Sequence, residues 1–264
     1  MSAQLSAQNS RACHLRILHR PYSPLILPHV YDAPTTLAAL SHPSVTCIAT
    51  ASYAIASTLG ISDSSLTLDD NLSRLRIIAN TIAASGKPDT PLTADLQDGY
   101  DDISTTIKKA IEVGVVGCNI EDVDNAGGET LRSKAVAVER IKLAKAAAVE
   151  AGVPDFVINA RTDTLAFGSD VDDAIERGRA YLEAGATTVF VWGGAGGRGV
   201  RTEEVKRLVQ GLDGMVSVKM SLGEGFLKTA ELKELGVARV SVGPELFRVA
   251  MTAYREAVGK MLDD

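Results

Sequence analysis

The sequence predicts an α/β fold, a single (β/α)8 barrel of the TIM type, on three observations. Eight short apolar runs alternate with eight helical patterns along the chain, and such alternation means a parallel sheet with right-handed crossovers. The runs are nearly continuous in Val, Ile, Leu and Ala, as strands buried on both faces are. Three of them climb to polar tips, PLTADLQDGY (91–100), VVGCNIED (115–122) and FVINARTD (156–163), and those charges need a place to point. In a barrel that place is the C-terminal mouth, where active sites sit. A doubly wound open sheet is the structural alternative. The closed barrel is the economical arrangement for eight units, and the 264 residues match the roughly 250 typical of it.

The elements follow in order. Strand runs are PLILPHVYD (24–32), VTCIATAS (45–52), PLTADLQ (91–97), VVGCNIED (115–122), FVINARTD (156–163), TTVFVWGG (187–194), MVSVKMS (215–221) and ARVSVGP (238–244). Helical patterns cover 34–42, 68–85, 101–114, 133–152, 169–185, 202–212, 227–236 and 244–261. Asp170 opens one helix with acids in its first turn and Gly185 closes it, while Gly114, Gly152 and Gly236 end three others. Within 171–184, Val171, Ala174, Ile175, Gly178, Tyr181 and Leu182 keep the three-and-four spacing of one buried face. Residues 1–20 are polar, somewhat basic and free of acids, which reads as a flexible start and is also compatible with an organelle-targeting signal. The barrel domain is then 21–264.

Composition excludes several classes. Hydrophobic residues make up 45% and charged residues 23%, enough apolar surface for a substantial core. A net charge of −6 leaves no basic footprint for nucleic acid, and no apolar run approaches the roughly 20 residues of a membrane span. Cys13, Cys47 and Cys118 form no metal-spacing motif, and the last two sit in apolar runs as small hydrophobes. A reducing, cytoplasmic setting fits this usage.

The tips carry the chemistry. Asp95, Glu121 and Asp122 end adjacent strands and Asp63 follows the second. Hard oxygen donors converging on a mouth suit Mg2+, with Mn2+ also possible, since Mg2+ takes one or two carboxylates and keeps several waters. Helix capping or pairing with Arg161 is the structural reading of the same acids. Asp98, Asp101 and Asp102 flank Gly99 and Tyr100, where turn and cap roles suffice. Arg161 offers a fixed fork to a carboxylate or phosphate, or an ion pair to Glu121 or Asp163, with Asn159 and Asp163 as orienting groups. Lys219 is a candidate electrophile or a solvent-reaching lysine, and Trp192 an apolar wall or plain core. Of His14, His19, His29 and His42 only His29 lies near a strand tip, so no His-based triad forms. Residues 194–199, GAGGRG, match a dinucleotide fingerprint in form, but no acid follows at about 20 positions. A mobile loop or anion nest is the better reading there.

Taken together these tips resemble the phosphoenolpyruvate mutase/isocitrate lyase superfamily over about 25–255. LPHVYDAPT (27–35), ATASYAIASTLGISD (49–63), TADLQDGY (93–100), GVVGCNIED (114–122), NARTD (159–163) and GVARVSVGP (236–244) carry the resemblance. It implies a barrel whose last helix is exchanged between subunits in dimers or tetramers. It also implies Mg2+ holding a small 2-oxo carboxylate and stabilising an enolate as a C–C or P–C bond breaks or forms. By position, Asp95 corresponds to the direct metal ligand, Glu121 and Gln97 to outer ones and Asp63 to a further acid. Arg161 corresponds to the substrate arginine. Ala51, Ser52 and Tyr53 correspond to the carboxylate-gripping loop, and Tyr31 and Asp32 to the tip of the first strand.

Two departures shape the expected activity. Gln97 stands where the family carries Asp or Glu, so the metal site loses a charge. The segment VDNAGGETLRSKA (123–135) has neither the Cys nor the His of the K-K-C-G-H loop found in isocitrate-type lyases, and offers Asn125, Thr130, Arg132 and Ser133 at most. Isocitrate-type cleavage is thereby disfavoured. The expectation is a Mg2+-dependent lyase or decarboxylase acting on a 2-oxo or 2-hydroxy (di)carboxylic acid such as oxaloacetate, with Lys219 among the substrate contacts. Phosphonopyruvate-type mutase or hydrolase chemistry and a non-catalytic metabolite-binding barrel are the alternatives.

Overall fold

Proline carries no amide hydrogen, and Pro28 divides the first strand run in two. The computed structural model describes residues 3–194 and 199–263. In chain order they form α1 (Ala3–Ile17), β1 (Leu25–Leu27), β2 (His29–Val30), α2 (Ala33–Leu40), β3 (Ile48–Thr50), α3 (Ser52–Leu59), a 3-10 turn (Asp63–Ser65), α4 (Leu68–Ala83), β4 (Leu92–Asp95) and α5 (Ile103–Glu112). Then come β5 (Gly117–Glu121), β6 (Val123–Asp124), β7 (Thr130–Leu131), α6 (Lys134–Glu150), β8 (Val157–Thr162), α7 (Val171–Glu183), β9 (Thr188–Val191), α8 (Thr202–Gly211), β10 (Val216–Lys219), α9 (Thr229–Leu235), β11 (Arg239–Ser241) and α10 (Glu245–Asp263).

Nine parallel strands lie in the order β1-β11-β10-β9-β8-β5-β4-β3-β2. Because β1 pairs with β11 and β2 with β3, the single segment 25–30 brings the sheet back on itself. The (β/α)8 barrel is the fold, and the open doubly wound sheet is excluded. Outside it, Leu75, Ile78, Ile107 and Ile158 are buried between strands and helices in one apolar cluster, and Val189, Leu208, Val218 and Leu232 in a second. The inside departs from the branched aliphatic filling common in such barrels. Thr93, Asn119, Asn159, Thr188, Ser217, Arg239 and Ser241 are all buried polar strand residues.

The start of the chain differs from expectation. The start, expected to be flexible, is helix α1 with Ala12 and Leu15 fully buried. Gln8 Nε2 donates to the carbonyls of Ile111 and Val115 at 2.8 and 3.0 Å. Leu15 stands so close to Gly117, the first residue of β5, that a Cβ there would meet its Cδ2 at 2.9 Å. The helix therefore covers the bottom of the barrel, which exposed strand ends require. At the other end α10 has no buried residue. Its Phe247 meets Tyr31 edge-on at 5.1 Å, while Val249 and Tyr254 stand 54% and 68% exposed. Two elements escaped the sequence reading, the helix α3 directly after β3 and the hairpin β6–β7. No helix among the described residues is long and apolar enough to cross a membrane.

Candidate active site

Alternation along a strand sends every second side chain inward. The parity that puts Asn119 and Asn159 inside the barrel therefore brings Glu121 and Arg161, which stand in register, to its mouth. Asp95 ends β4 opposite Asn119. The mouth holds a cavity of about 620 Å3 lined by Ala51, Ser52, Tyr53, Asp63, Asp95, Arg161 and Lys219, with His29, Asn119 and Trp192. A second cavity of about 730 Å3 shares Ser52, Asp63, Arg161 and Trp192 and adds Gln97, Glu121 and Asn125. Asp63 and Arg161 thus stand on the wall between two compartments.

One pole is acidic. Asp95 Oδ2 accepts from the Ser52 amide at 3.1 Å, at the N-terminus of α3, where the helix dipole favours an anion. Gln97 turns at φ +52, and its Nε2 donates to the Asp63 carbonyl at 2.8 Å and to Asp63 Oδ1 at 3.1 Å. Asn125 Nδ2 donates to Glu121 Oε1 at 2.8 Å. Arg161 is fully engaged: Nε and Nη2 each lie 2.6 Å from an oxygen of Asp163, and Nη1 lies 2.5 Å from Glu121 Oε2. Its guanidinium carbon sits 4.3 Å from the centroid of the Trp192 ring, a cation–π contact that fixes the plane of the fork.

Glu121, Asp163 and Asp63 stand in the field of this one cation, and their titration reflects burial set against it. Burial pushes Glu121 up to about 7, with Asp163 and Asp95 pushing the same way against Arg161. Burial and then the charge of Asp95 raise Asp63. Burial also raises Asp163 against the pull of Arg161. Burial opposes the charge on Arg161, but Glu121 and Asp163 overcome it and hold the guanidinium protonated. Among the described residues no three His, Cys, Asp or Glu side chains converge as a ready-made ligand cage. The donor chemistry fits a hard divalent cation held by few direct carboxylates and by water: Asp95 offers the carboxylate, and Gln97 links it to Asp63 and Glu121.

The opposite pole is basic. Lys219 Nζ lies 3.1 Å from Glu245 Oε1, which also takes Arg248 Nη1 at 2.9 Å. Arg248 reaches over the Tyr53 ring at 5.4 Å. Gly243 makes room for the lysine: it turns at φ +54, and a Cβ there would stand 3.2 Å from Lys219 Cε. Two cations against one acid leave this wall positive. Beneath the cavity, burial and the charge of Arg239 push His29 down to about 3, so its ring is neutral.

Several predicted site residues lie elsewhere. Asp32 caps α2 through Thr35 and Tyr31 packs on Phe247, so neither lines either cavity. Asp122 is a buried anchor, accepting from Thr162 Oγ1 and the Tyr181 hydroxyl, both at 2.7 Å, and from the Asp163 amide at 2.9 Å. Asp102, read from the sequence as a turn or cap residue, caps α5, and its neighbour Asp98 pairs with Arg132 at 2.9 Å. Ser133 caps α6 and Thr130 is exposed, so Asn125 is the side chain of the hairpin region that meets a predicted ligand. The centre of the GAGGRG segment, 195–198, lies outside the described residues. Asn125 was among the polar groups the sequence offered in this loop and Asn159 among the orienting groups, whereas Glu245, Arg248 and the rest of the polar floor were not singled out as contacts to the site. Strand parity with Glu121 and Arg161 signalled Asn119 and Asn159; nothing local signalled Glu245 or Arg248.

Comparison with known proteins agrees with this fold. The family model for phosphoenolpyruvate phosphomutase matches residues 15–262. An uncharacterized protein of Mycobacterium tuberculosis is 31% identical over 250 residues, covering 93% of this chain and 88% of the relative. The 2,3-dimethylmalate lyase of Eubacterium barkeri is 33% identical over 183 residues, 65% of this chain and 58% of that enzyme. The structure of oxaloacetate acetylhydrolase with the product oxalate superposes with a TM-score of 0.83 at 26% identity, over 97% of this chain and 88% of the other.

Proposed function

The chain belongs to the phosphoenolpyruvate phosphomutase family, and on that premise we propose that it is a divalent-cation-dependent lyase or decarboxylase of a small 2-oxo or 2-hydroxy (di)carboxylic acid such as oxaloacetate. Lyases and mutases are found in its superfamily, and the chain is an enzyme of that superfamily. The observation that carries the proposed reaction is the polarity of the mouth. Asp63, Asp95 and Glu121 gather around Arg161 on one wall, and Lys219 and Arg248 stand on the other.

A bound Mg2+ or Mn2+ would supply a Lewis acid for the negative charge that develops on the 2-oxo oxygen as a bond to carbon breaks. Asp95 would hold it, with Asp63, Glu121 and Gln97 contacting it through water. The N-terminus of α3, through the backbone of Ala51, Ser52 and Tyr53, grips the substrate carboxylate. Arg161 meets a substrate oxygen by exchanging its Nη1 contact with Glu121, while Asp163 keeps the fork in place. Lys219 and Arg248 receive a distal anionic group. Preorganised charges of this kind stabilise a developing anion without reorganising. The exposed apolar side chains of α10 support a homo-oligomer, dimer or tetramer, in which a second copy covers that helix.

The test is oxaloacetate consumption with Mg2+, followed by proton NMR, comparing wild type with Asp95→Ala because Mg2+ alone promotes the reaction. Pyruvate formed well above the mutant's rate is the expected result; equal rates would remove oxaloacetate as substrate. The family model itself favours P–C bond chemistry as the second reading. Phosphorus NMR on phosphonopyruvate separates the two, and ligand-induced stabilisation without any product would indicate a binding barrel.

A further inference from the structure

Arg239 enters β11 inside the barrel and is 1% exposed. Its Nη2 donates to Asn119 Oδ1 at 3.2 Å and its Nε to Ser241 Oγ at 3.3 Å, both neutral groups. Among the described residues its Nη1 has no hydrogen-bond partner. Among the described residues, the carboxylate whose charge reaches it is Asp95, up at the mouth. This is a buried cation without an ion pair, which burial strongly disfavours.

Packing does not account for it. A buried charge can usually be exchanged for an apolar side chain of similar volume at no loss, or with a gain, in stability. Methionine would fill the same space without the desolvation penalty. The contacts of Arg239 point instead to the cavity, because Asn119 and Ser241 both line it. Asn119 Oδ1 accepts from Arg239 and also from Asn159 Nδ2 at 2.8 Å. Two donors on the oxygen fix the amide's orientation and leave Nδ2 as its free donor, on a residue of the cavity floor. Thr188 Oγ1 in turn holds Asn159 Oδ1 at 2.7 Å. The charge is therefore screened by no acid below the floor and is coupled to the floor by oriented dipoles.

We propose that Arg239 is an electrostatic positioning residue whose unpaired charge, acting through Asn119 and Ser241, selects dianionic over monoanionic ligands in the mouth cavity. This rests on the reading of the mouth as a 2-oxo acid site. It adds a charge requirement on the ligand, set by a residue that does not touch it.

Calorimetric titration of the protein in saturating Mg2+ with oxalate and with pyruvate tests it, for wild type, Arg239→Met, Arg239→Gln and Arg239→Lys, with thermal melting alongside. Coulomb energy scales with ligand charge, so the neutral variants should weaken oxalate about tenfold and pyruvate only about threefold, the square root of that factor. Arg239→Lys should stay within about threefold of wild type for both, and Arg239→Met should melt no lower than wild type. Neutral variants that bind both ligands like wild type overturn the proposal. So do neutral variants that lose both ligands by one factor, or that fail to fold, since either result makes Arg239 a structural residue. Wild-type protein that binds neither ligand overturns the reading of the site, and the proposal with it.

Discussion

Gln97→Glu changes one nitrogen for one oxygen at the point where this chain departs from its family. The amide nitrogen it removes donates to the Asp63 carbonyl at 2.8 Å and to the Asp63 carboxylate at 3.1 Å. Two buried hydrogen bonds are lost, at about 1 kcal/mol each. The new carboxylate also faces Asp63, whose own titration burial and Asp95 already raise. Like charges about 4 Å apart repel by up to about 4 kcal/mol at an effective dielectric near 20, and uptake of one proton limits that. A net loss of about 3 kcal/mol corresponds to a drop of about 6–12 °C in Tm for a chain of this size. A divalent cation should reverse the order, because the variant regains the missing negative ligand and the stabilisation grows with its affinity. Thermal unfolding in EDTA and across a Mn2+ titration reads both effects. If Gln97→Glu melts with wild type in EDTA, the Gln97–Asp63 strut is not a stabilising contact. If it gains no more from Mn2+ than wild type does, Gln97 does not stand beside a cation.

Three further outcomes are expected. Arg132 pairs with Asp98 at 2.9 Å and Asp124 at 3.0 Å and so pins the β6–β7 hairpin. Arg132→Ala leaves Asp98 buried and unpaired, and should cost about 3–5 kcal/mol in urea unfolding while amide exchange over 123–131 speeds up; unchanged exchange would mean the hairpin is held otherwise. Glu121 titrates at about 7 in the fold against an ordinary 4.5, so the native state holds the extra proton. Its contribution is whole below pH 4.5 and fades as pH rises through about 7. In metal-free protein the urea midpoint should fall over that window and Glu121→Gln should flatten the fall; a midpoint that rises there contradicts the assignment. Finally, Tyr254→Glu, on the uncovered helix α10, should dissociate the assembly in analytical ultracentrifugation, and a wild-type monomer would refute the proposed oligomer.

Much of this was legible because strands and helices write their periods into the chain. FVINARTD showed a buried strand with Arg161 at its tip and Asn159 as an orienting group near it. Caps such as Asp170 and Asp102 were readable from their local chemistry. Tyr31 and Asp32 misled because a strand tip and a helix N-cap share the same residues: Thr35 claims Asp32, and Phe247, over 200 positions later, claims Tyr31. The start of the chain looked loose because α1 is polar overall and buries only Gln8, Ala12 and Leu15 against the barrel bottom.

What the sequence by itself determined is the (β/α)8 order, the direction of the strands and the identity of the acids and the arginine at their ends. These depend on periodicity and on neighbours in the chain. Only the tertiary structure decided that Arg161 is shared between Glu121 and Asp163 and that Gln97 bridges to Asp63. It also decided that Glu245 joins Lys219 to Arg248, and that Arg239 lies unpaired beneath the floor. Those are contacts across the barrel, and closing it sets side chains from distant strands against one another at distances that no local pattern encodes.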